Sequence, residues 1–144
     1  VLSLPGAPVL YYGDEVGLAG GRDPDNRRAM PFERSALQEW TRERVGRIGR
    51  ARKCSAALRH GSREPVLAQG PLYALRRAAG DEVAILVLNA SAEEQTVRLD
   101  GLSGRWFDVV EDEADLDPAA LPMAPWSARL LFSELAPCND RTAP

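Results

Sequence analysis

The 144-residue sequence predicts an α+β fold in which one buried strand and one long helix precede an antiparallel β-sandwich. Three observations predict it: a continuous apolar run near the N-terminus, a helical repeat of apolar residues in the middle, and a later change to a period of two. The formal net charge of −3 and the scattered arginines indicate no nucleic-acid surface. The first apolar run is shorter than the roughly 20 residues of a membrane span, so we expect no membrane partner.

The first element is a strand that leads into a loop with the character of a ligand site. Val9–Tyr12 is apolar throughout, as expected for a parallel strand buried on both faces. Pro5 and Pro8 prevent a helix from entering this strand. A flexible loop follows, because glycines recur at Gly13, Gly17, Gly20 and Gly21. The charged cluster Asp23–Arg28 lies in this loop, where the end of the strand would present it.

The second element is a helix from about Ser35 to Arg59. Apolar residues recur there at helical spacing, at Leu37, Trp40, Val45, Ile48 and Ala51. Ser35 is a suitable N-cap, and Gly61 is a suitable residue to end the helix. Gly46 and Gly49 each cost about 1 kcal/mol relative to alanine. The helix therefore needs support from neighbouring elements.

The third section, from about residue 63 to residue 133, has the pattern of short strands. Leu72–Arg77 and Val83–Asn89 flank Ala79–Asp81 and predict a hairpin. Further strands are predicted at Thr96–Leu99, at Trp106–Val110 and at Trp126–Phe132. Short strands at close spacing, with no helix between them, predict an antiparallel sandwich. Residues 134–144 contain two prolines and little apolar content, so we expect a disordered tail.

Cysteine and histidine usage indicates no metal site. Cys54 and Cys138 are far apart in the sequence, and His60 is the only histidine. These residues do not form a zinc-binding pattern, and His60 is typical of a helix-capping or surface residue. We predict two isolated thiols, which favour a reducing compartment such as the cytoplasm.

Two groups of charged residues are candidates for chemistry. Asp14 and Glu15 could form an acid–base pair, but neighbours on an extended chain point to opposite faces, so hydrogen bonding at the end of the strand is favoured. Asp23 and Arg27 could bind the hydroxyl groups of a ligand through charge-assisted hydrogen bonds. The alternative is an ion pair that only shapes the loop, and the two roles can coexist. Asp25, Asn26 and Arg28 are interpreted as loop scaffolding.

The tryptophans admit two interpretations. Trp40, Trp106 and Trp126 could stack on sugar rings, as aromatic residues do in carbohydrate-binding modules. All three fall at positions that the periodicity assigns to packed faces, so the core is the favoured location.

The N-terminal residues carry a family resemblance. Leu4–Glu15 and Asp23–Arg28 resemble the last strand and loop of the catalytic barrel in the α-amylase superfamily, glycoside hydrolase family 13. There the pattern is PG-x-P-x-x-YYG-[DE]-E-x-G, and the cyclomaltodextrinase–neopullulanase branch adds DPD-x-RR. Arg50–Ser62 is a looser match to the family's LRR-x-x-P-A-L-R-x-G-S, with Ala56 where proline is common.

The resemblance implies a C-terminal portion of such an enzyme. Residues 1–62 would be the end of a (β/α)8 catalytic barrel, namely its last strand and helix, and residues 63–133 would be the β-sandwich called domain C. The parent would be a retaining glycosidase that acts on α-glucosidic bonds of maltooligosaccharides, cyclodextrins or pullulan. Its nucleophile and its acid–base carboxylate would lie upstream of Val1, so we assign no catalytic residue here and expect the isolated chain to be inactive.

The resemblance also implies roles for the loop residues. Asp23 and Arg27 match the Asp and Arg that line the donor-side subsites in the neopullulanase-like branch, so the expected partner is an α-glucan oligosaccharide. The chemistry needs no cofactor, and we expect no metal in this part. The isolated chain is expected to aggregate, to form a homo-oligomer through the exposed strand, or to fold its N-terminal part loosely. The alternative function is a non-catalytic carbohydrate-binding or structural β-sandwich module.

Overall fold

A computed structural model of the chain describes residues 1–133, and the predicted tail lies outside the described residues. Two helices follow an irregular N-terminal segment: α1 spans Ala36–Cys54 and α2 spans Ala56–His60. Eight strands come next, β1 Glu64–Gln69, β2 Leu72–Ala79, β3 Glu82–Asn89, β4 Gln95–Val97, β5 Trp106–Asp108, β6 Glu113–Leu116, β7 Leu121–Met123 and β8 Ser127–Phe132. Short 3₁₀ turns occur at Asp14–Val16 and at Asp25–Arg27.

The strands form two antiparallel sheets. The larger sheet has the order β1-β2-β3-β8-β5-β6, and β4 pairs with β7 in a smaller one. The predicted hairpin is confirmed, because β2 and β3 pair from Leu72 opposite Asn89 to Ala79 opposite Glu82. Gly80 adopts a φ of 58° in the turn, a left-handed conformation that glycine tolerates without strain. The predicted α+β class with an antiparallel sandwich is confirmed.

Each face of the larger sheet has its own core. Ile85 and Val87 of β3 point to one face, where they pack with Val97 of β4 and with Leu121 and Met123 of β7. This is the interior of the sandwich. The opposite face packs against the helices, in a cluster formed by Ala51, Ala57, Leu58, Ala84, Val109, Val110, Leu130 and Phe132. The alternation of Ala84 and Ile85 between the two cores follows from the period of two along a strand.

The predicted N-terminal strand does not form. Residues 9–11 have no regular secondary structure, and Val9 is 81% exposed. The first strand of the described chain is β1, at Glu64. A parallel strand that is apolar on both faces needs neighbouring strands on both sides, and residues 1–133 provide none of them. The sequence correctly indicated an apolar segment, but its partners are not part of the structure.

The helix is confirmed, with a break that was not predicted. Ser35 caps α1 by accepting a hydrogen bond from Gln38 N, and the Gln38 side chain accepts from Ser35 N, which completes a capping box. The chain turns at Ser55, whose hydroxyl accepts from Leu58 N and thereby caps α2. Glu82 of β3 also reaches this corner, where its carboxylate accepts from Ala56 N at 3.0 Å. The corner is therefore bound to the sheet.

Two of the three tryptophan predictions are wrong. Trp106 is buried in the sandwich core, as predicted. Trp40 is half exposed, and the Arg44 guanidinium lies 3.4 Å above its ring centre. Trp126 is 71% exposed, because its φ of 51° takes it out of the alternation of β8. Leu37 is exposed as well, so only the second half of α1 buries an apolar face.

The chemistry of Cys54 differs from the prediction. Cys54 is disulfide-bonded, so the prediction of two isolated thiols is wrong. In residues 1–133 there is no group of three or more His, Cys, Asp or Glu placed to hold a metal ion. No helix within residues 1–133 has the length and apolar character needed to cross a membrane.

Candidate functional site

The first part of the candidate site is the turn that begins the glycine-rich loop. Asp14 accepts a hydrogen bond from Tyr11 N at 3.1 Å, and Glu15 accepts one from Gly13 N at 2.8 Å. Each carboxylate thus binds a backbone amide close to it in sequence. This arrangement agrees with the interpretation of Asp14 and Glu15 as structural residues, because each is already engaged in holding the turn.

The turn is attached to α1 through its last residues. Val16 is buried, and a Cβ atom on Gly17 would lie 3.8 Å from the side chain of Thr41. The loop therefore starts from a fixed point on the helix.

The loop from Leu18 to Arg28 is organised by short contacts within itself. Arg28 makes a two-pronged hydrogen bond to Asp25, at 2.6 Å from Nε and 2.8 Å from Nη2. This guanidinium holds the pKa of Asp25 below its usual value, and a backbone hydrogen bond from Gly21 acts in the same direction. A Cβ atom on Gly21 would lie only 2.8 Å from an Asp25 carboxylate oxygen. Asp25, Arg28 and Gly21 together set the path of the loop, which agrees with the interpretation of Asp25 and Arg28 as scaffolding.

Asp23 and Arg27 are brought together at the exposed side of this loop. Arg27 Nε lies 3.1 Å from Asp23 Oδ1, and the two side chains are 69% and 65% exposed respectively. Because both side chains are largely exposed, the carboxylate and the guanidinium can be reached by an incoming hydroxyl-rich molecule. An exposed ion pair of this kind adds little stability, with a typical value of about 0–1 kcal/mol.

The structure adds one aromatic feature that sequence reasoning missed. The rings of Tyr11 and Tyr12 lie 4.8 Å apart between centroids, and both are exposed. The Tyr12 hydroxyl donates a hydrogen bond to Arg28 O at 3.1 Å, which connects the aromatic pair to the charged loop. The Tyr-Tyr-Gly signal was present in the sequence, but the strand prediction placed both rings in a core.

Sequence comparison finds relatives among enzymes that act on α-glucans. No family model matches the chain. Neopullulanase 2 of Thermoactinomyces vulgaris is 36% identical over 113 residues, which is 75% of this chain and 19% of that protein. An amylopullulanase of Thermoanaerobacterium saccharolyticum is 34% identical over 112 residues, which is 69% of this chain and 8% of that protein. A cyclomaltodextrinase of Thermoanaerobacter pseudethanolicus is 32% identical over 100 residues.

Structure comparison finds similar solved structures, which include an α-amylase. The α-amylase of Geobacillus thermoleovorans, solved with acarbose, has a TM-score of 0.76 and 28% identity, and the match covers 93% of this chain and 31% of that one. Ttha1563 of Thermus thermophilus has a TM-score of 0.70 and 36% identity, with 92% of this chain covered and 29% of that one. The chain thus spans less than a third of each of these relatives. It belongs to the α-amylase superfamily, glycoside hydrolase family 13, in its cyclomaltodextrinase/neopullulanase-like branch, and corresponds to the C-terminal portion of such a protein.

Proposed function

We propose that the chain is part of a retaining glycosidase that cleaves α-glucosidic bonds in maltooligosaccharides, cyclodextrins or pullulan. Within it, Asp23 and Arg27 bind the glucose units on the donor side of the cleaved bond. The names of the relatives, which include a neopullulanase and a cyclomaltodextrinase, support this substrate class.

The observation that carries the proposal is the contrast between two ion pairs on one loop. The Asp25–Arg28 pair is two-pronged and is built into the loop backbone. The Asp23–Arg27 pair has its nearest contact at 3.1 Å and is largely exposed. The glycines and the Asp25–Arg28 pair fix the shape of the loop, while the Asp23–Arg27 pair remains accessible. Such a loop is suited to present the accessible pair to a ligand. Charged groups form stronger hydrogen bonds to hydroxyl groups than neutral groups do, so this pair is suited to bind a sugar.

The bond-breaking groups of this proposed enzyme belong to the remainder of the protein. A retaining glycosidase uses two carboxyl groups about 5–5.5 Å apart, one as nucleophile and one as acid and base. The adjacent carboxylates of this chain, Asp14 and Glu15, each hold a backbone amide of the turn. We therefore give the chain a binding role only.

Kinetics of the full-length enzyme test the binding role. Loss of a charged hydrogen bond costs about 1.5–3 kcal/mol, so Arg27→Ala should lower kcat/KM for maltotriose about tenfold or more, and Asp23→Ala should act similarly. Arg98→Ala is the matched control, because it removes another largely exposed ion pair, Arg98–Asp100 at 2.9 Å, from the sandwich. Normal kinetics in both loop variants, together with a lower melting temperature, would show that the pair only shapes the loop.

A second candidate function is supported by one exposed aromatic side chain. Trp126 presents its ring at the surface of the sandwich, immediately before β8. An exposed tryptophan face can stack on a sugar ring, so the sandwich could act as a carbohydrate-binding module. Binding of the isolated chain to insoluble starch, lost in Trp126→Ala and retained in Arg27→Ala, would favour this module. Absence of starch binding, with Arg27-dependent kinetics in the full-length protein, would exclude it.

A further inference from the structure

Two buried arginines have only backbone carbonyls as the partners described for them. Arg52 of α1 is 8% exposed and Arg77 of β2 is 1% exposed. Among residues 1–133, no carboxylate forms a salt bridge with either guanidinium. Burial lowers the pKa of Arg77, and the nearby charges of Arg52 and Arg63 lower it further. The arrangement is costly for two positive charges, so its hydrogen bonds must supply the compensation.

Arg52 holds the first residues of the chain. Its Nη1 donates to Leu2 O and Leu4 O, both at 2.9 Å, and its Nη2 donates to Gly6 O at 2.5 Å. Nη1 also lies 2.9 Å from Leu58 O in α2. One guanidinium thus connects the N-terminal segment to the corner between the two helices.

Arg77 connects the same segment to the sheet. Its Nη1 donates to Ser3 O at 2.7 Å, and its Nε and Nη2 donate to Ser62 O at 2.7 Å and Gly61 O at 3.0 Å. Between them, the two arginines take up the carbonyls of residues 2, 3, 4 and 6. We call this set of contacts the arginine clasp.

The N-terminal segment that leads to the charged loop is held at two points, and the arginine clasp is the first of them along the chain. Downstream, Val16 and Gly17 rest on α1, as described above. Residues 7–12 between the anchors are exposed. Loosening the upstream anchor would therefore let Tyr11 and Tyr12 move, and Tyr12 is hydrogen-bonded to Arg28 O in the charged loop.

We infer that Arg52 and Arg77 are positioning residues for substrate binding, which act by holding residues 2–6 so that the loop presents Arg27 in its binding orientation. This inference rests on the proposed function. It assigns the sandwich an indirect role at the substrate site, because Arg77 belongs to its β2–β3 hairpin.

A double-mutant cycle in the full-length enzyme tests the inference. Lysine lacks the planar fork with which Arg77 binds three carbonyls at once. Arg77→Lys should therefore raise KM for maltotriose by about threefold to tenfold, with kcat nearly unchanged. This expected change in KM is smaller than the roughly hundredfold loss of rate that a 1 Å misplacement of reacting groups can cause. In an Arg27→Ala background, Arg77→Lys should have no further effect. Arg76→Lys is the matched control, because it alters the neighbouring residue of β2, which pairs with Glu64 on the surface.

Hydrogen exchange of the isolated chain gives a second readout. Exchange in residues 7–28 should be faster in Arg77→Lys than in the unaltered chain, while residues 83–88 of β3 should be unchanged. Arg52→Lys should reproduce both effects, and it replaces Arg77→Lys if that variant fails to fold.

The outcomes separate this inference from the proposed function. If Arg27→Ala impairs the enzyme but Arg77→Lys acts equally in both backgrounds, the arginine clasp serves stability alone and the inference is overturned. Unchanged exchange in residues 7–28 of the clasp variants would overturn it as well. If Arg27→Ala itself leaves the kinetics unchanged, the proposed function fails, and the inference fails with it.

Discussion

Alanine substitutions at two glycines, Gly61 at the junction between α2 and the sheet and Gly49 inside α1, should have opposite effects on stability. At Gly61, an added Cβ atom would lie 2.4 Å from Ala57 O and 2.7 Å from Ala78 O. Both carbonyls are already engaged, because Gly61 N donates to Ala57 O at 3.0 Å and Ser62 N donates to Ala78 O at 2.8 Å. The contact atoms are backbone atoms, so they cannot turn aside as the end of a side chain would.

The conformation of Gly61 does not itself require glycine. Gly61 ends α2, as predicted, with a φ of −64° and a ψ of 165° that are open to any residue, so the requirement for glycine is space. Overpacking costs about 1–3 kcal/mol, and Gly61→Ala should lower the free energy of unfolding by that amount. Gly49 is the matched control, since it lies inside α1 with nothing within 4 Å of an added Cβ atom. Gly49→Ala should therefore raise stability by about 1 kcal/mol.

Thermal and urea unfolding of the chain, followed by circular dichroism, measures both variants. At about 4 °C per kcal/mol for a chain of this size, Gly61→Ala should melt about 4–12 °C lower and Gly49→Ala about 4 °C higher. A Gly61→Ala variant as stable as the unaltered chain would refute the close approach between helix and sheet.

Three further predictions concern the sheet, the N-terminal segment and the activity of the chain. Asp108 accepts hydrogen bonds from Val110 N at 2.9 Å and Leu130 N at 3.0 Å in a buried site. Asp108→Ala should therefore lower the free energy of unfolding in urea by about 2 kcal/mol or more. A smaller loss of stability in Asp108→Ala than in Asp108→Asn would contradict this. Hydrogen exchange should be slow at residues 83–88 and more rapid at residues 1–34 than in the sheet. Equal slow exchange of both parts in a monomer would show that the boundary predicted at residue 62 does not separate two units. Purified chain should not hydrolyse maltotriose or β-cyclodextrin; turnover that depends on Asp14 or Glu15 would prove the assignment of no catalytic residue wrong.

The local sequence pattern was sufficient to predict those parts of the fold that are stabilised by contacts between residues near each other in the sequence. The β2–β3 hairpin has strong alternation and a turn at Gly80, and the start of α1 has a capping serine, so both were predictable. β1 was not predicted, because Glu64–Gln69 is almost wholly exposed and becomes a strand only by pairing with β2. Val9–Tyr12 shows the converse case, since its apolar pattern predicts partner strands that residues 1–133 do not supply.

The candidate site divides in the same way. The spacing of Asp23 and Arg27 already indicated that the two could pair, and the structure joins them. The arginine clasp could not be predicted, because the sequence does not distinguish a buried guanidinium from a solvated one. Arg77 and its neighbour Arg76 look alike in the sequence, yet one is buried and the other pairs with Glu64 at the surface.

The stereochemistry of the products tests the central claim most directly. The full-length protein should be incubated with maltotriose, cyclodextrin and pullulan, and the newly formed reducing ends followed by proton NMR before they equilibrate. A retaining mechanism on α-glucosidic bonds predicts that the α-anomer appears first, from at least one of the three substrates. Initial release of the β-anomer, or no cleavage of any of the three, would contradict the account.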